Sequence, residues 1–312
     1  MTNRMARCFF FRGRLLFLVT LWLIGPTSGL AGTTVDDRFP HLATGVLKSA
    51  SLAELDEGMI LIAADFRISE SEMEEVVGKA DRKIRDQLKK NLFYVLEEKA
   101  TEKLIASEAY KAGYGKTKNE GRVAKAFLQH RFSGMEVSDD EIRQFYEENK
   151  ATIGVPFEQA REVVSAYVVR EKTNKAIRDY ITDLGKDAGI QVASSWVKQQ
   201  YELAKDNPVD KARNSGKPTM VEFGATGCKP CDMMQPILKK LRKKYGDKLN
   251  IIFIHVRDDQ ILAARYGIAS IPVQVFFDKT GKEFFRHVGF FPQNEVEKKI
   301  SEMGDVIDET SS

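Results

Sequence analysis

Two cysteines separated by two residues, Cys228-Lys229-Pro230-Cys231, stand between an apolar run, Thr219-Met220-Val221-Glu222-Phe223, and an amphipathic stretch. No other feature constrains the chain as much. The reactive form of cysteine is the thiolate, and a helix N-terminus offers free N–H groups and a positive dipole end that stabilise it. A spacing of two residues lets the second sulfur reach the first within one helical turn, so a mixed disulfide formed at the first is resolved internally. The pattern reads as strand, turn and helix, with a thiol–disulfide site at the helix start.

A structural zinc site needs a second pair of ligands at suitable spacing, and the sequence has none. The third cysteine, Cys8, lies near the start of the chain, and the four histidines, His41, His130, His255 and His287, are scattered. No metal and no cofactor are expected. An inert structural disulfide is the other reading, but so short a loop adds little stability.

After Cys231, Met234, Leu238, Leu241 and Tyr245 take one helix face, and Lys239, Lys240, Arg242, Lys243 and Lys244 take the others. The basic run reads as a solvated face, with no nucleic-acid partner. Pro236 should kink this helix. Downstream come a strand over Leu249–Val256, a short helix over 263–268, a proline-led strand over 271–277 and a hairpin turn at Asp278-Lys279-Thr280-Gly281.

From Pro208 to about Gly304 this order resembles the thioredoxin family, which implies an α/β fold with a mixed central sheet flanked by helices. The resemblance implies a role for each matching residue. Cys228 would be the attacking thiol and Cys231 the resolving one. Glu222, six residues before Cys228, stands where the family has a buried acid that relays the proton of the second cysteine. Ile271-Pro272 matches a cis-proline that offers backbone to a client, beside Gly227, Lys229 and Pro230 as further client-contacting residues. The aromatic residue that usually precedes the first cysteine is Gly227 here, which opens the client groove. Proline before the second cysteine, without a histidine between the pair, is the pattern of the reducing members.

Arg4, Arg7, Arg12 and Arg14 precede the apolar run Leu15–Ile24, then Gly25-Pro26 and the small residues Gly29-Leu30-Ala31. This reads as a signal peptide over 1–31 cut after Ala31. An uncleaved anchor, which would make the membrane a partner, is the alternative. Cleavage would remove four of the 48 basic residues and none of the 45 acidic ones, taking the formal charge from +3 to −1. It would also remove Cys8, leaving the reactive pair alone, as suits a redox enzyme of an oxidising compartment such as the periplasm.

Residues 32–58 read as a flexible lead-in with a helical stretch around Leu52–Leu55. From 59 to 192 the chain reads as mainly helical. Met59–Ala63 is a short strand, and capping boxes mark helix starts at Ser69-Glu70-Ser71-Glu72 and Ser138-Asp139-Asp140-Glu141. One apolar stripe, Ile84, Leu88, Leu92, Val95, Leu96 and Leu104, runs towards Gly113, and a second runs from Phe157 to Leu184. With Ala109-Tyr110-Lys111-Ala112-Gly113 closing a long helix, the segment resembles the N-terminal part of SurA-type periplasmic chaperones. The parvulin isomerase domain of many relatives is absent, because only 151–156 separate the last two helices. Residues 193–207 read as a connecting helix and linker, and 208–312 as the thioredoxin-like domain.

The expected function is that of an exported thiol–disulfide oxidoreductase, a reductant, acting on unfolded or disulfide-containing client proteins held by the helical arm. It would be re-reduced by a membrane or thioredoxin-type electron donor. The alternative is a chaperone that uses the same fold only for binding.

Overall fold

The computed structural model describes residues 33–304; the expected signal peptide lies outside them. The helical lobe opens with α1 (Val35–Arg38), β1 (Ser51–Ala53), β2 (Met59–Ile62) and β3 (Arg67–Ser69). Helices α2 (Glu70–Lys79), α3 (Arg82–Lys90), α4 (Leu92–Lys111), α5 (Glu120–Arg131), α6 (Asp139–Ile153) and α7 (Phe157–Asp187) follow, then β4 (Gln191–Ala193) and α8 (Ser194–Ala204). The four strands form one sheet in the order β1-β4-β2-β3, with β4 parallel to β1 and antiparallel to β2.

Both expected capping boxes are present, at Ser69/Glu72 and Ser138/Glu141. The stripe expected as one helix is divided at Asn91 into α3 and α4. Helix α5 was not anticipated. Its i, i+4 pair Val123 and Phe127 packs with Ile105 and Ala109 of α4 in a satellite cluster.

The flexible lead-in over 32–58 is corrected. Val35, Leu42, Val46 and Leu47 are fully or almost fully buried, and the stretch around Leu52–Leu55 is not helical, since β1 occupies Ser51–Ala53. Two contacts show why this segment is ordered. The buried carboxylate of Glu97 accepts four hydrogen bonds from it: Thr44 N–H (2.8 Å), Thr44 O–H (3.0 Å), Gly45 N–H (2.8 Å) and Leu47 N–H (3.1 Å). Helix α7 crosses the same segment so closely that a Cβ on Gly185 would lie 2.3 Å from the Val46 carbonyl oxygen. Glycine is required there by space, although it weakens a helix interior.

The linker expected over 193–207 is corrected in the same way. Helix α8 buries Trp196 and Val197 in the core that holds Val35, Leu47, Leu61 and Leu96. Both ends of the lobe therefore close one core.

The α/β lobe runs α9 (Pro208–Arg213), β5 (Thr219–Gly224), α10 (Lys229–Tyr245), β6 (Asn250–His255), α11 (Gln260–Arg265), β7 (Val273–Phe277), β8 (Glu283–Val288) and α12 (Gln293–Glu302). The sheet order is β6-β5-β7-β8, with β5 parallel to β6 and antiparallel to β7. It is the mixed sheet flanked by helices that the resemblance implied. On one face Met220 and Phe276 pack with Met234, Leu238 and Leu241 of α10 and Val296 and Ile300 of α12. On the other, Val221, Phe223 and Val275 pack with Val209 of α9 and Leu262 and Tyr266 around α11. The short helix α11 begins three residues before the expected start, and α10 runs through Pro236 as one helix.

The lobes meet at α11. Arg265 donates from Nη1 to Asp210 Oδ2 (2.7 Å) and to the Ala204 carbonyl at the end of α8 (3.2 Å), and Tyr266 donates to Asp210 Oδ1 (2.8 Å). A cation at a helix C-terminus completes carbonyls left without helical partners. Beside them, Gln87 of α3 donates to the Asp258 carbonyl (2.6 Å) and accepts from Ile261 N–H (3.1 Å).

Candidate active site

Strand β5 is buried along its whole length. Alternation along a strand sends Met220, Glu222 and Gly224 to the α10 side and Val221 and Phe223 to the other, in agreement with the two clusters. Beyond Gly224 the chain leaves the sheet, turns at Gly227 (φ +78°) and enters α10 with Cys228 as N-cap. The Cys231 N–H donates to Cys228 Sγ at 3.4 Å. The helix start thus points a donor at the first sulfur, which favours its thiolate.

Cys228 and Cys231 are joined as a disulfide with Cα atoms 5.2 Å apart. Cys231 is buried, Cys228 is half-buried, and Gly227, Lys229 and Pro230 are exposed. Cys228 is therefore the sulfur that solvent reaches, and Cys231 lies behind it.

Glu222 is fully buried. Its Oε2 accepts from Gln274 Nε2 at 2.8 Å, and its Oε1 has no hydrogen-bond partner among the described residues. Burial pushes its pKa up to about 8, with the single Gln274 bond opposing. Among the described residues no lysine pairs with it. A Cβ on Gly224 would sit 3.4 Å from Cys231 Cβ, and Glu222 lies one pleat back on that face. The site therefore has an under-satisfied carboxyl beneath the inner cysteine.

The Ile271–Pro272 peptide is cis. Pairing of Phe223 with Val273, extended by one residue, sets Pro272 opposite Gly224, at the sheet end that leads to Cys228. Pro272 is buried and Ile271 half-buried, and the Pro272 carbonyl accepts from Gly289 N–H at 2.8 Å.

One residue of the site is not marked by the sequence pattern. His255, one of four scattered histidines, pairs with Gly224 across β5 and β6 and accepts the Thr226 N–H on Nε2 at 3.1 Å. Its position, one strand over from the end of β5, has no sequence signal, since residue 255 is far from the cysteines along the chain. Of the other histidines, His287 stacks on Phe291 with centroids 4.2 Å apart, and burial lowers the pKa of His287 and of His41. Among the described residues no group of three or more His, Cys, Asp or Glu side chains could hold a metal ion, and no helix is long and apolar enough to cross a membrane.

A family model described as a thioredoxin-like domain matches residues 206–304. The thiol:disulfide interchange protein TxlA homolog of Synechocystis sp. is 30% identical over 115 residues, 36% of this chain and 64% of that protein. Thioredoxin Y, chloroplastic, of Oryza sativa subsp. japonica is 37% identical over 33% of this chain and 59% of its own. A thioredoxin of Chlorobaculum thiosulfatiphilum is 34% identical over 33% of this chain and 94% of its own. The chain spans less than two thirds of the first two and nearly all of the third. These relatives, with a cysteine pair at disulfide distance, support a thiol–disulfide oxidoreductase.

Proposed function

The chain belongs to the thioredoxin family through residues 206–304, and we propose that it is an exported protein-disulfide reductase whose helical lobe holds client chains near Cys228. The observation that carries the redox reading is the outward Cys228 and inward Cys231 at the start of α10, above a buried Glu222 whose pKa is about 8.

The reaction balances as follows. The Cys228 thiolate attacks one sulfur of a client disulfide, forming a mixed disulfide and releasing the client's other sulfur as thiolate. Ionised Glu222 takes the proton of the Cys231 thiol. The Cys231 thiolate then attacks Cys228 Sγ, closing the Cys228–Cys231 disulfide and releasing the second client thiolate. Two electrons pass to the client, and a dithiol donor, membrane-bound or thioredoxin-like, must return them. A proton acceptor with pKa near 8 is matched to this exchange near neutral pH.

Lys229 and Pro230 between the cysteines, with no histidine, favour the reducing direction. Export rests on the sequence of residues 1–31. Ile271 and Pro272, with Gly227, supply backbone for an extended client. The arm reading rests on the α6–α7 hairpin, which carries its own small cluster (Ile142, Tyr146, Ala160, Val164) and exposes Val155 and Val163. The SurA-like resemblance points the same way.

Reduction of a disulfide-bonded protein by the purified chain, with dithiothreitol as donor, tests the reading. Cys228→Ser should abolish turnover, and turnover that survives it sinks the enzyme. Equilibration with glutathione tests the direction: a potential as oxidising as that of strong periplasmic oxidants would reverse it. For the arm, Val163→Asp with Val155→Asp should slow turnover of an unfolded client and spare a small disulfide.

A further inference from the structure

We propose that His255 is a positioning residue for Cys228 and that Gln87 of the helical lobe braces it, so that the lobe governs how the attacking sulfur is presented. The inference rests on the redox reading of the cysteine pair and adds to it a route from the other lobe. Residues 225–227 carry the chain from β5 to Cys228, and a Cβ on Gly227 would meet nothing within 4 Å. With an open turn and no large side chain before the cysteine, the loop needs fixing from outside.

His255 supplies this. Its Nε2 accepts the Thr226 N–H at 3.1 Å and lies 3.3 Å from Thr226 Oγ1. An imidazole nitrogen that accepts an N–H carries no proton, so the ring proton is on Nδ1. That nitrogen lies 2.9 Å from Asp258 Oδ2, off the line of a good hydrogen bond, and the carboxylate orients the neutral ring through a charge–dipole contact. Asp258 and Asp259 N–H both donate to the His255 carbonyl, at 2.9 and 3.0 Å, closing a tight turn after β6.

The helical lobe grips this turn. Gln87 Nε2 donates to the Asp258 carbonyl, while Gln87 Oε1 accepts from Ile261 N–H in the first turn of α11. The N-cap of α11, Asp259, makes no side-chain cap bond, so a side chain from the other lobe satisfies a helix-terminal donor that α11 leaves open. Gln87, the 255–258 turn, His255 and Thr226 form one contiguous chain of contacts that ends two residues before Cys228.

The test measures the first attack of reduced full-length protein on an aromatic disulfide reagent near neutral pH, with thermal melting as the fold control. His255→Leu should slow the attack roughly three- to tenfold, the range one net hydrogen bond is worth. His255→Gln, which restores an acceptor, should recover most of the rate. Gln87→Leu should slow the attack in the same sense by a smaller factor. His255→Leu at the unmutated rate overturns the positioning role and leaves the redox reading standing. Slow His255→Leu beside unaltered Gln87→Leu overturns the brace from the helical lobe. An unmutated protein that does not attack removes the redox reading and this inference together.

Discussion

Among the described residues each lobe buries one glutamate, and the two differ in how many donors surround them. Glu97 is 2% exposed and its carboxylate accepts four donors, whereas Glu222 is 0% exposed and accepts one. Taking a carboxylate out of water is unfavourable unless protein dipoles replace the lost water. Thr44, Gly45 and Leu47 replace part of it around Glu97, so that residue serves as a clamp for the segment that closes the core. Around Glu222 the replacement is left incomplete, and the proton becomes the partner instead. Burial raises the pKa of both, opposed by four hydrogen bonds at Glu97 and by one at Glu222, and only Glu222 lies on the strand face beneath the cysteine pair.

The largest expected effect comes from breaking the clamp. Glu97→Ala orphans three backbone N–H groups and a hydroxyl, and should destabilise the protein by about 3–5 kcal/mol. Urea unfolding measures it. A loss under about 1 kcal/mol would mean that water serves those donors as well as the carboxylate does.

Glu222→Gln should act in the other direction. The folded pKa is about 8 against an ordinary 4.5, so below 4.5 the group is protonated in both states and contributes no difference. Between the two values the unfolded chain ionises while the folded one does not, and stability falls as pH rises; above 8 the loss is complete. The glutamine variant should therefore match the unmutated protein at low pH and exceed it by roughly 2–4 kcal/mol above pH 8. It should also slow resolution of the mixed disulfide while sparing the first attack. Equal stability–pH curves for the two proteins would show that Glu222 is ionised at little cost.

Removing one donor at each site sharpens the contrast. Thr44→Val takes one of four donors from Glu97 and should cost about 1 kcal/mol. Gln274→Met takes the sole side-chain donor of Glu222. Its main signature should be a resolution profile displaced to higher pH, because the Gln274 bond favours the ionised form. An unmoved profile would show that burial alone sets the proton affinity.

Much of the site was legible from local pattern. A two-residue cysteine spacing, an apolar strand before it and a helical face after it are short-range facts, and the cap at Cys228 and the strand position of Glu222 follow from them, while the proline at the head of β7 is legible from its own apolar run. The capping boxes at Ser69 and Ser138 were visible for the same reason, since a box is written in four residues. The segment 33–58 was not visible. Val35, Leu42, Val46 and Leu47 show neither helical nor strand period, and their burial depends on Glu97, Gly185 and Trp196, each tens of residues away or more.

By itself, then, the sequence determined most elements of the α/β lobe, the two boxed helix starts and the reactive pair, because periodicity, capping and the spacing of two thiols act within a few residues of chain. Only the tertiary structure decided which buried glutamate is satisfied, that α8 belongs to the helical core, and that His255 faces Thr226 with Gln87 behind its turn. Those outcomes depend on which distant groups arrive beside one another. A hydrogen bond or a desolvated charge is set by what surrounds it in space, and neither burial nor partnership is encoded in any one stretch of the chain.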